Sequence, residues 1–361
     1  MKIAHFQVLL ELSSSKFLVA RKNKLYIYDK IKGDCSYIGK LPLTFLQNIL
    51  INFKITARLF RLVNIVCCPF NQDEVLLGFN HSFYNIDLKN KVISYLYSVD
   101  KGKRPLYFEN VMDNEIVPEG IYFGDYFGNS ARKEVAIYRI DKVNKRKEIV
   151  YTFKEGMINH VHSLKIDYNN NCIWIFTGDF DRAAAIWQVK KKFEIVQPVV
   201  RGKQIYRACV ASCDNSSVVY ATDTPFQQNY LRKLVMEDGV WRSREIAKVN
   251  GSVIYGCQIN DSLIFSTAVE PNGIYKNRIH ALFSRKRGNG IADDYCYVYL
   301  YSFKDSSLKI IYKSKKDRLP YATFQFGALV FPNLNGHKIS ELPIFHLATN
   351  KYDLETIFLK L

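Results

Sequence analysis

The stretch NHVHSLKIDYNNNCIWIFTGD, residues 159–179, decides how the whole chain is read. Two histidines two residues apart open it. A polar turn at Tyr168–Asn171 divides it, and a hydrophobic run ends it at Thr177-Gly178-Asp179. Strand-forming residues on either side of a turn describe two antiparallel strands. The start of the first strand and the end of the second then lie on one rim.

Versions of this hairpin recur. From Pro105 onward, four-strand units begin near residues 105, 160, 206, 252 and 323. The one longer step contains the RKRGNG loop at 285–290. Upstream, Lys2–Glu11, Lys16–Arg21, Lys24–Asp29 and Cys35–Leu41 make an opening unit, and strands at 74–79, 82–88 and 92–98 belong to a second. Four strands per interval of this size are the signature of a β-propeller. The count predicts an all-β, seven-bladed propeller with four-stranded antiparallel blades, forming a single domain over 1–361. The last unit, Thr323–Phe331, Ile344–Ala348 and Leu354–Leu361, is one strand short, so the N-terminus is expected to complete it.

Leu43–Val66 breaks the strand pattern. Gln47, Lys54, Arg58 and Arg61 fall on one face at helical spacing, among apolar residues. This predicts a short helical insert with a basic face, suited to covering a blade edge or to peripheral contact with a membrane or protein. Its internal charges argue against a membrane span.

Composition narrows the function classes. Hydrophobic residues at 48% exclude a disordered chain. Fifty-one basic against 34 acidic residues give a net charge of +17, a field that attracts polyanions. Nucleic acid is not the expected partner, because the basic runs at 142–147, 190–192, 285–287 and 313–318 are scattered over outer strands and loops. The eight cysteines include no C-x-x-C pair, and Cys209 and Cys213 have no second pair to share a zinc with. Glu11 interrupts the apolar N-terminal run and no cleavage site follows, so a reduced, cytoplasmic setting is expected. Walker, G-x-S-x-G, H-E-x-x-H and Rossmann motifs are absent.

The shared rim collects the candidate site. Second strands end in Asp125, Asp179, Asp223 and Glu270; first strands begin with His160 and His162, with Tyr206-Arg207, and with Tyr321 and Gln325. At i and i+2 on a strand, the two imidazoles point the same way. They are readable as general acid and base, as metal ligands beside Asp179 or Asp125, or as structural residues at the channel mouth. Arg207 is suited to a substrate carboxylate or to an ion pair with Asp179 or Asp223. Tyr206 and Tyr321 are suited to stacking on sugar rings or donating a proton. No motif demands a cofactor, although a divalent metal would fit the histidine–aspartate set.

The stretches YFGDYFGN (122–129), TGDFDR (177–182), QIYRA (204–208), TDTPFQQN (222–229) and STAVEP (266–271) resemble the sialidase-like propellers with BNR (Asp-box) repeats. The Asp box itself is worn: Ile140-Asp141 keeps the aspartate without its Gly and Trp. A sialidase arginine triad and tyrosine–glutamate pair cannot be assigned. The resemblance implies a propeller with a carbohydrate-facing central site, in which Arg182 joins the substrate-binding candidates. The resulting expectation is a lyase or hydrolase acting on an acidic polysaccharide, using His160, His162, Arg207 and Tyr206. The alternative is a non-catalytic propeller binding glycan or protein.

Overall fold

The structure, a computed structural model, describes residues 2–100, 102–180, 182–214, 217–334 and 339–361. It contains seven four-stranded antiparallel sheets. In blade 4 the strands from the channel outward are Val161–Asp167, Cys172–Thr177, Ala185–Lys190 and Ile195–Arg201. The second strand, CIWIFT, is buried at every position because both its faces pack on neighbouring blades. The outermost strand, IVQPVVR, meets solvent along most of its length. This gradient is why inner strands read as continuous apolar runs.

The core lies between blades. Phe153 and Val161 meet Trp187 between blades 3 and 4, while Trp174 and Tyr220 fill the next interface. Fully buried phenylalanines such as Phe123, Phe176 and Phe265 each contribute about 2–3 kcal/mol.

Closure follows the expected route. Lys2–Ala4 pairs with Thr356–Lys360 as the fourth strand of blade 7, and the chain then turns at His5-Phe6 into the inner strand of blade 1, Gln7–Glu11. Lys2–Glu11 is therefore two strands serving two blades. Thr356, fully buried, ties them: its hydroxyl donates to Phe6 O (2.6 Å) and accepts from Val8 N (3.4 Å). Two other inner strands are shorter than their apolar runs. Pro105–Met112 yields only Glu109–Val111, since Arg104 pairs instead with Tyr126. In Thr323–Phe331 only Ala328–Val330 is strand, because a turn of helix occupies Tyr321–Phe324.

The helical insert differs from expectation. It is two short helices, α1 (Phe45–Leu50, opened by a Thr44–Gln47 capping box) and α2 (Lys54–Leu59), and its basic residues do not share one outward face: Lys54 and Arg61 are exposed, whereas Arg58 is not. Arg58 is 2% exposed and points inward, pairing with Asp317 (2.6 Å) and Asp353 (3.0 Å) and donating to Phe324 O. Two loop carboxylates in a part-buried setting need a cation, and the nearest helix supplies it. The apolar residues Phe45, Leu46 and Phe53 turn outward in exchange. Two further short helices, α3 (Arg278–Phe283) and α4 (Tyr321–Phe324), lie on the same face of the ring, and α4 contacts both α2 and α3. No helix among the described residues is long and apolar enough to cross a membrane.

Two substitutions test these ties. Thr356→Val should lower unfolding free energy by about 1–2 kcal/mol in urea titration, because it strips partners from buried backbone groups. Arg58→Met should cost about 3 kcal/mol by leaving two carboxylates without their cation.

Candidate functional site

The inner strand of blade 4 enters through a β-bulge. Val161 faces Thr177 and Ser163 faces Phe176, so His162 is the extra residue. Equivalent bulges fall at Leu9, Cys209 and Ile254 in blades 1, 5 and 6. A bulge re-aims the side chain it carries. In blade 4 it turns His162 toward His160, with Nε2 atoms 3.0 Å apart.

Both tautomers are set by the backbone. His160 Nδ1 donates to Phe127 O (2.8 Å) and His162 Nδ1 donates to Ala208 O (3.0 Å). A carbonyl can only accept, so each Nδ1 carries the proton and each Nε2 of the neutral ring presents a lone pair. Asp179 completes a triangle, with Oδ2 3.3 Å from His160 Nε2 and Oδ1 3.6 Å from His162 Nε2. Burial pushes His160 down to about 4, against the pull of Asp179, so this imidazole is neutral at pH 7.

Asp179 is held in the left-handed region (φ 80°). Asn159 Nδ2 donates to its Oδ2 at 2.6 Å, and Arg207 lies 3.1 Å from Oδ1. Burial alone would raise this carboxyl, but Arg207 holds it well below the usual carboxylate range. Gly178, just before it, has no substitute: a Cβ there would lie 2.3 Å from His162 Cε1 and 2.9 Å from Arg207 Cγ.

Arg207 bridges outward to Asp223, at 3.4 Å. Cys209 Sγ lies 3.2 Å from the same Asp223 Oδ2. Burial and Asp223 keep that thiol protonated, so it acts as a donor. His162, Cys209 and Asp223 also cluster, but the thiol keeps its proton and Nδ1 is committed to Ala208. The first triangle is the one with free lone pairs. Glu270, beyond Asp223, is raised to about 7 by burial and by Asp223, with Arg207 opposing.

The structure thus brings together His160, His162, Asp179, Arg207, Asp223 and Glu270. Asp125 lies on the same rim but pairs with Lys103 at 2.9 Å. Gln325 is buried along the channel mouth. Three other candidates lie apart. Tyr206 packs against the interface of blades 4 and 5, and Tyr321 is buried under Lys316. The Arg182 side chain is exposed, and its carbonyl accepts from Arg201.

Sequence reasoning missed Asn159 and Tyr126, each one residue from a residue it named. The Tyr126 ring centroid is 4.3 Å from that of His160. It also missed Phe180 and Phe226, which flank an open groove of about 610 Å³ leading from Asp179. Exposed phenylalanines just after strand ends were the available signal.

The Glu270 shift has a definite sign. A carboxyl moved from 4.5 up to about 7 binds more protons folded than unfolded, so its stabilising contribution is present below the lower value and lost as pH rises through the upper. Glu270→Gln should therefore raise the melting temperature relative to the parent more at about pH 8.5 than at about pH 5. An equal difference at both pH values would show that Glu270 ionises normally.

No family model and no curated protein matches the chain. Solved structures do match. A structure titled oligogalacturonate lyase in complex with manganese superimposes with TM-score 0.55 at 8% identity, covering 98% of this chain and 88% of that one. A chain of a mitotic checkpoint complex gives 0.54 at 8%, covering 99% and 90%. The AfRom2 CNH domain gives 0.52 at 7%, covering 96% and 91%. At such identities the likeness is one of fold, and the chain is a seven-bladed β-propeller whose sialidase-like resemblance finds no matching family.

Proposed function

We propose that His160, His162 and Asp179 hold a divalent cation, and that the surrounding face binds and cleaves an acidic oligosaccharide. One observation carries this reading: two imidazole lone pairs turned on each other at 3.0 Å, with a carboxylate beside both. Such an arrangement is repulsive unless positive charge sits among the three atoms. Their separations match those of neighbouring ligands about 2.0–2.2 Å from one ion. Imidazole with carboxylate suits several first-row divalent ions, and Nδ1–H bonds to carbonyls are the usual outer support of ligating histidines.

Such an ion would supply the charge that a uronate carboxylate seeks. The chain's own residues divide the remaining work. Arg207 and Asn159 position Asp179, so in this reading Arg207 acts through Asp179 and does not meet the sugar. Phe180 and Phe226 offer apolar faces to sugar rings along the groove. Glu270, titrating near neutrality, is matched to accepting and returning a proton. In β-elimination the base takes the proton beside the carboxylate, its electron pair forms the C=C bond, and the glycosidic oxygen leaves and is protonated. The +17 charge draws the anionic chain in. The manganese-bound oligogalacturonate lyase of similar fold is consistent with this ligand class.

A second reading has its own support. Phe45 (83% exposed) and Phe53 (62% exposed) project from the helical insert, as a protein-docking propeller would require.

Protein stripped with chelator and reloaded with Mn²⁺ should bind one ion per chain by calorimetry, and the His160→Ala/His162→Ala double variant should bind none. Equal uptake by both proteins would remove the metal site. With oligogalacturonate, the loaded protein should generate the ultraviolet absorbance of an unsaturated uronate, and His162→Ala should abolish it. Full turnover by both single histidine variants would sink the catalytic reading, while binding without turnover would favour the docking one.

A further inference from the structure

Across Tyr126 from the histidines lies a second cavity that the cation site does not use. It measures about 450 Å³ and is lined by Arg61, Arg104, Tyr255 and Gln325, among others. Two guanidinium groups face this space, and among the described residues neither forms an ion pair with a carboxylate. Two arginines without acidic partners on one concave wall repel each other, and here both keep contact with solvent. Arg61 is lowered to about 10 by partial loss of water around its guanidinium and by Arg104 and Arg58, although its side chain as a whole is exposed.

Both arginines are held in place by backbone. Arg104 exchanges two main-chain hydrogen bonds with Tyr126, at 3.1 and 2.9 Å, and its guanidinium lies 5.6 Å from the centre of the Tyr126 ring. Arg61 follows the end of α2 at φ 57° and donates to Ala322 O at 3.1 Å. Its place depends on Arg58, three residues earlier, which is locked to Asp317 and Asp353. Gln325 adds an independent pointer. It is 5% exposed, sits at φ 68°, and its side-chain oxygen has no partner although buried. An amide oxygen can only accept, so this atom is suited to a hydroxyl of a ligand whose anionic group lies at the arginines.

We propose that Arg61 and Arg104 form an anion subsite that takes a carboxylate, sulfate or phosphate group, with Gln325 and the Tyr255 hydroxyl completing its polar lining. Tyr126 links this subsite to the His160–His162–Asp179 cluster, its ring centre lying 4.3 Å from that of His160 and 5.6 Å from the Arg104 guanidinium. A chain running from the Phe180–Phe226 groove past the histidines would bring its next acidic unit to the arginines. The protein would then select ligands with two or more anionic groups over monomers. This choice of ligand rests on the glycan reading above; the anion subsite does not.

The test separates the two. Sodium sulfate, compared with chloride at matched ionic strength, should raise the melting temperature of the unmodified protein in a saturable way. Arg61→Gln and Arg104→Gln should each weaken sulfate binding by about tenfold, and the double variant should abolish it. The His160→Ala/His162→Ala variant should keep sulfate binding. Sulfate stabilisation unchanged in the double arginine variant would overturn the subsite. In calorimetry, trigalacturonate should bind the unmodified protein at least about tenfold more tightly than galacturonate, and Arg104→Gln should erase that preference. A sulfate response lost with the arginines alongside no binding of either uronate would keep the anion subsite and overturn its assignment to a glycan.

Discussion

The ring depends on three residues, Lys2–Ala4, pairing with a strand more than 350 residues away in the chain. Each blade buries its faces only against its neighbours, so an open ring would leave two hydrophobic faces in water. Closure also sets the function of the mouth. It forces the starts of the inner strands toward a common axis, where their side chains share a confined, poorly hydrated space. Charges in such a space persist only if they are matched, and the observed match centres on Arg207, which lies between Asp179 and Asp223, with Glu270 left to carry a proton near neutrality.

The mouth is therefore electrostatically divided. Carboxylates and imidazoles gather over blades 4 to 6, and two arginines without acidic partners stand across Tyr126 from them. Tyr126 itself is raised well above an ordinary tyrosine by burial and by Asp179, while Arg104 pulls the other way. An anionic ligand meets attraction at the arginines and needs added positive charge at the histidines. The two halves ask for different complements, which is why a cation and an extended anion together suit the site better than either alone.

Most of the architecture was legible because hairpins are local. Alternating runs, turns such as Tyr168–Asn171 and recurrent acidic strand ends are all readable within fifty residues. The missing strand in the last unit correctly pointed to the N-terminus. What was not legible depends on contacts across the ring. Helical periodicity put Arg58 on a solvent face, yet carboxylates more than 250 positions later turn it inward. The bulge at His162 is likewise invisible in sequence, since it is defined by His162 having no partner on the next strand. Arg61 came from the segment read as helix and Arg104 from the residues between two predicted strands, and only closure brings them to one cavity. Tyr206 and Tyr321 show the converse: strand-end tyrosines found better partners in the core than at the rim.

Arg58 has one more consequence. It belongs to the segment joining blades 1 and 2, whereas Asp317 and Asp353 belong to the loop before blade 7 and to blade 7 itself. The tie thus straddles the seam where the first and last strands meet, acting as a clasp over a zipper. A propeller that comes apart by peeling its closing strand must first release this clasp. Its effect falls on the lifetime of the native ring, since an interaction lost early on the way out slows unfolding without hastening assembly.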